Sequence, residues 1–118
     1  MGCDVHASVI AETYGGFQET IFENVSMPRD YELFGLLAGV RDSNVTPISD
    51  PKGWESLPHN YLNPNDTYWG DHTPSWLTFK ELKKLPKRYK SSLWYKLVAL
   101  VAKKHGDSKT IFVFNFDS

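Results

Sequence analysis

Apolar and polar residues alternate at the start of the chain, with Val5, Ala7 and Val9 set against Asp4, His6 and Ser8. A period of two belongs to a strand that buries one face, so residues 3–13 are expected to form one. Gly15 and Gly16 follow as a hairpin signal, and residues 17–25 read as the returning strand. A two-residue turn at the glycines would place Asp4, His6 and Ser8 on one face with Glu19, Ile21 and Glu23. It would also set Glu12 opposite Glu19, a like-charge pair, and a slip of one residue would exchange the faces of the second strand.

The period then changes. Leu33, Phe34, Leu36 and Leu37 have helical spacing over residues 31–38, with Asp30 placed as N-cap and Gly39 just past the end. Residues 41–73 are irregular and carry Pro47, Pro51, Pro58 and Pro64, but their Trp54, Tyr61, Tyr68 and Trp69 point to an ordered, packed loop with a functional or structural role. Thr78-Phe79-Lys80-Glu81 matches a capping box, Leu77 and Leu82 stand where a hydrophobic staple would hold the incoming chain, and Pro86 stops the helix. A third helix is expected over residues 92–104, with Leu93, Leu97 and Leu100 joining Trp94, Val98 and Val101 on its buried side and Gly106 as terminator. Residues 110–116, rich in Phe and Val, are apolar on both faces and so suit a central strand. The expected fold is α+β: an N-terminal β-hairpin and a C-terminal strand in a mainly antiparallel sheet packed by two or three helices, with one long ordered loop. One domain spanning residues 1–118 is expected.

Composition narrows the function classes. At 118 residues the chain can bury a core unaided, and 14% aromatic content argues against disorder. A net charge of −1 argues against general nucleic-acid binding, which needs a surplus of cations to displace counterions. The local basic run of Lys80, Lys83, Lys84, Lys87, Arg88 and Lys90 is spread around a helix and past its proline stop, and reads as a solvated face. No stretch has the length of a membrane span, no signal peptide is expected, and His6 stands where a myristoylation signal wants Ser or Thr. With a single cysteine no internal disulfide can form, so a cytoplasmic protein is expected.

Four groups carry candidate chemistry. Asp4 and His6 project from one strand face with Cα atoms about 7 Å apart, near enough to approach one metal or for the carboxylate to orient the imidazole. They could equally be a solvent-facing strip. In Asp71-His72-Thr73-Pro74-Ser75-Trp76, directly before the capped helix, His72 could act as general base or metal ligand and Ser75 as anion contact or nucleophile. The alternative makes Thr73 and Ser75 turn and cap residues, with His72 packed on Trp76. Arg29, Tyr31 and Arg41 bracket the first helix, where an arginine could clamp a phosphate or carboxylate, or form a structural ion pair. Cys3 alternates with the core residues, away from His6, and behaves as a small hydrophobe.

The blocks MGCDVH, RDYELFGLLAGVR, DHTPSWLTFKEL and FVFNFDS resemble a family of short, uncharacterised phage and prophage proteins. Those proteins open MGCDIH, continue R-N-Y-x-L-F-x-x-L-A-G-V-R, carry H-S-x-S-W-L and finish near V-F-W-F-D-N. The blocks cover both ends and the middle of the chain, and leave the Gly-Gly hairpin, much of the long loop and the third helix unmatched. Matched positions are Cys3, Asp4, His6, Arg29, Tyr31, Arg41, His72, Ser75, Trp76 and Asp117; the departures are Val5, Asp30, Thr73, Asn115 and Ser118. The resemblance implies a phage-type origin, action in the host bacterial cytoplasm and a residue set, but no reaction.

Three functions follow as expectations. The leading one is an accessory protein binding a small anionic ligand, a nucleotide or nucleotide-derived signal, in a counter-defence role, through Asp4, His6, Arg29, Tyr31, Arg41, His72, Ser75 and Trp76. The second is a metal-dependent phosphoesterase in which Asp4, His6, Asp71 and His72 hold a divalent metal and His6 and His72 are catalytic. The third is a stoichiometric inhibitor docking on a host protein through Trp54 and Trp69. The first two need the Asp4–His6 face and the His72 block to converge.

Overall fold

The computed structural model describes residues 4–13, 18–39, 45–50, 52 and 72–117, and for His72, Thr73, Pro74 and Asp117 it describes the backbone. Among these residues four strands, β1 (Asp4–Glu12), β2 (Gln18–Phe22), β3 (His72–Thr78) and β4 (Thr110–Asp117), form one antiparallel sheet in the order β2-β1-β4-β3. The first and last strands of the chain lie side by side at its centre, paired from Asp4 opposite Asp117 to Ala11 opposite Thr110. Both are long; β4 is rich in β-branched and aromatic residues, and β1 brings Val5, Val9 and Ile10 with small alanines between.

Among the described residues three helices accompany the sheet: α1 (Tyr31–Ala38), α2 (Phe79–Leu82) and α3 (Leu93–His105), with a 3₁₀ turn over Lys87–Ser91. They join one sheet face in a single core, where Val5, Ala7, Val9, Phe112, Phe114 and Phe116 meet Leu33, Phe34, Leu37, Leu82, Trp94 and Val98. On the opposite face Ile10, Ile111 and Val113 are also buried and pack with Trp76, in a cluster to which no described helix contributes. The architecture is therefore the expected α+β, with the N-terminal hairpin and the C-terminal strand in one antiparallel sheet. Most of the long loop, Cys3 and the two hairpin glycines lie outside the described residues.

Several local expectations hold for the reasons given. Asp30 caps α1 by accepting from Leu33 N at 3.1 Å. Gly39 ends it in the left-handed region (φ +73°), donating from its N–H to Gly35 O at 2.8 Å. A Cβ at Gly39 would stand 3.3 Å from Pro47 Cγ, so both conformation and space favour glycine. Gly39→Ala is expected to cost about 1–2 kcal/mol in urea unfolding, the range for a side chain forced into left-handed backbone. An unchanged midpoint would show that residue 39 is free to leave that conformation.

Others are corrected. Near the turn β2 pairs one residue away from the expected register, with Glu12 facing Gln18 and Ala11 facing Glu19; past an irregularity between Val9 and Ile10 the expected register returns, with Val9 opposite Phe22. The slip removes the Glu12–Glu19 clash, and Glu12 instead forms an ion pair with Lys109 at 2.8 Å. Regular β2 ends at Phe22 rather than Val25, although Val25 N still donates to Ala7 O at 2.8 Å. Residues 72–78 do run directly into the capped helix, but as the edge strand β3 rather than as irregular chain. Its register shifts between His72 and Ser75, around Pro74, which has no N–H to give a ladder. The capped helix is a single turn ending at Leu82, well short of Pro86. In α3 the buried side is Trp94, Tyr95, Val98, Val101 and Ala102, while Leu93 and Leu100 are 72% and 63% exposed.

Candidate functional site

Beyond Phe22 the chain leaves the β2 ladder but stays beside β1, held by Val25 N on Ala7 O and by Asn24 N, which donates to Ser8 Oγ at 3.4 Å. Between the two runs lies a cleft of about 250 Å³, lined by Asp4, Val5, His6 and Ala7 and by residues 24–28. The strip Asp4–His6 singled out by alternation is thus a wall of this cleft. Asp4 is exposed, His6 half-buried and Ser8 buried, as expected for a strand entering the sheet from solvent.

Arg29 sits at the end of the 24–28 run. Its Nε and Nη2 both lie 2.9 Å from Asp4 Oδ1, and the two side chains remain 54% and 53% exposed. An ion pair this wet is worth little, on the order of 0–1 kcal/mol. Tyr31 follows on the first turn of α1, its ring 5.7 Å from Phe34, which in turn lies 5.2 Å from Phe116 of β4. Arg29 and Tyr31 are therefore anchored at the Asp4 end of the sheet. Beside His6 in the β1–β4 register stands Asn115, buried, with an Oδ1 that has no hydrogen-bond partner among the described residues. Its position in the register came from strand pairing alone, and no local sequence signal marked it.

The second block is placed by β3. His72 pairs with Phe116, which on its other side pairs with Val5, so the His72 backbone lies at the same end of the sheet as Asp4 and His6. One strand separates them, or about 10 Å between strand axes. Asp71 and Arg41 lie outside the described residues. Among the described residues no three His, Cys, Asp or Glu come together as metal ligands.

Ser75 and Trp76 face a different set of partners. Buried Ser75 Oγ accepts from Lys52 N at 3.0 Å, and Lys52 Nζ lies 4.6 Å from the centre of the Trp76 ring. The same ammonium reaches both carboxylate oxygens of Glu81, at 3.0 and 2.9 Å. Glu81 also accepts from Ser49 Oγ and, at 2.9 Å, from Thr78 N, completing the capping box. Burial alone would raise the Glu81 carboxyl. The hydrogen bonds from Ser49, Thr78 and Lys52, with the Lys52 charge, outweigh it and hold the group down at about 2. This node ties Ser49 and Lys52 to β3 and α2, and it engages Ser75 and Trp76 structurally.

In the basic run, Lys83 pairs with Asp107, and Arg88 pairs with Glu32, which also accepts from Tyr89 Oη at 2.9 Å. Comparisons with protein-family models, curated proteins and solved structures find no match for this chain.

Proposed function

We propose that the β1 cleft binds a small anionic ligand, and that the ligand presents the phosphate end of a nucleotide. The observation that carries this reading is the Arg29–Asp4 pair at the cleft. It holds a guanidinium in place while leaving it half in water, so an incoming phosphate can take the same N–H groups in bidentate fashion at small cost. The His6 imidazole adds a hydrogen-bonding group to the cleft wall, and exposed Tyr31 is an aromatic face close in sequence to Arg29. At about 250 Å³ the cleft falls just below the usual range for drug-sized ligands, about 300–1,000 Å³, and suits part of a nucleotide rather than the whole. On this reading the ligand would be a nucleotide-derived signal and the role counter-defence in a host bacterium.

Calorimetry against inorganic phosphate, mononucleotides and cyclic dinucleotides tests this. A member of the panel is expected to bind, with Arg29→Ala weakening it at least tenfold, since losing a hydrogen bond to a charged group costs about 1.5–3 kcal/mol. His6→Ala should weaken it less. Silence across the panel from folded protein, or binding indifferent to Arg29→Ala, would count against the reading.

A further inference from the structure

The charges of the chain are distributed very unevenly. Residues 82–106 hold eight of its thirteen Lys and Arg and none of its fourteen Asp and Glu, leaving five cations to face fourteen acids elsewhere. Two of the eight are matched from outside the segment, Lys83 by Asp107 and Arg88 by Glu32. Lys96, Lys103 and Lys104 of α3 are exposed and form no ion pair among the described residues.

Leucine is exposed on the same helix face. Leu93 and Leu100 are seven residues apart, so they line up along the axis, and half-buried Leu97 lies between them and toward the core. At 1.5 Å per residue the pair spans about 10 Å, two turns of helix. Lys104 continues the line, and Lys96 and Lys103 run beside it. The opposite face of α3, from Trp94 to Ala102, is already spent on the core. Leu93 and Leu100 stay 72% and 63% exposed, adjacent on one helix face.

We infer that the outer face of α3 is a docking surface for an acidic amphipathic segment of another protein, one that sets apolar residues on Leu93, Leu97 and Leu100 and carboxylates on the lysines. Charge complementarity selects this occupant. A second copy presenting the same face would oppose lysine to lysine, whereas an Asp- or Glu-rimmed apolar stripe pairs with both features at once.

Selection of random peptides displayed on the full chain, counter-selected against the double variant Leu93→Ser/Leu100→Ser, tests it. Enriched peptides should combine acidic residues with apolar pairs spaced three, four or seven apart. Their affinity should fall at least tenfold for the double variant and for Lys96→Glu/Lys103→Glu, and should weaken with salt. Both variants sit at exposed positions, and circular dichroism confirms that they fold. Enrichment without acidic residues, binding untouched by the variants, no enrichment at all, stronger retention on anionic vesicles or oligonucleotides, or concentration-dependent dimerisation through the same leucines would overturn the inference.

Discussion

Trp94→Ala is expected to be among the most damaging single substitutions in the described core, lowering the unfolding free energy by about 3–5 kcal/mol. Trp94 is where α3 meets the sheet. It is almost wholly buried, its ring lies 5.4 Å from Phe112 of β4 at 30°, and it meets Tyr95 edge-on at 6.0 Å. Alanine would leave a cavity between a helix and a central strand, where neither backbone can close up. Against a typical total of about 5–15 kcal/mol this is a third of the stability or more. The indole Nε1 is buried with no hydrogen-bond partner among the described residues. Trp94→Phe removes that donor along with part of the ring, so it should cost much less, below about 1.5 kcal/mol. Urea unfolding of the two variants separates the effects, and equal losses would show that the indole N–H is satisfied in solution.

Glu81→Gln is expected to remove up to about 3 kcal/mol at neutral pH. A carboxyl drawn down from 4.5 to about 2 in the folded chain binds its proton less readily there than when unfolded. Its contribution is therefore complete above about pH 4.5 and fades as the pH falls toward 2. Side-chain exposures of 21% for Glu81 and 27% for Lys52 keep solvent screening modest. Glutamine keeps the shape and one acceptor for Thr78 N but loses the charge facing Lys52. The gap between wild type and variant, followed by urea unfolding, should be widest near pH 7 and narrow through pH 4 to 3. A gap that stays constant with pH would mean the loss is steric and owes nothing to the ion pair.

What could be read from the sequence was what depends on neighbours along the chain. Asp30 and Gly39 bound α1 because capping and left-handed termination are set within four residues, and the Thr78–Glu81 box is equally local. The run 110–116 announced a central strand because both of its faces are apolar. The strand state of residues 72–78 was hidden because His, Thr, Pro and Ser resemble a turn, and only the ladder with β4 makes them extended. In α3 the helical period was right, but which apolar line turns inward depends on the sheet beneath it. Asp4 and His6 were legible as one polar face. Their setting was not, because Arg29 lies 25 residues from Asp4, and the Lys52–Glu81 node joins residues 29 apart. Contacts across such separations leave no local pattern.

The central claim is that an anionic ligand is held in the cleft at the Asp4–His6 end of β1. Its most direct measurement is a two-dimensional NMR titration of the labelled full chain with the nucleotide that binds best by calorimetry. The account predicts saturable shifts at the amides of residues 4–7 and 24–27 and at the Arg29 Nε–H, with the amides of α3 unmoved. Shifts centred on other elements, or a spectrum unchanged at millimolar nucleotide, would contradict it.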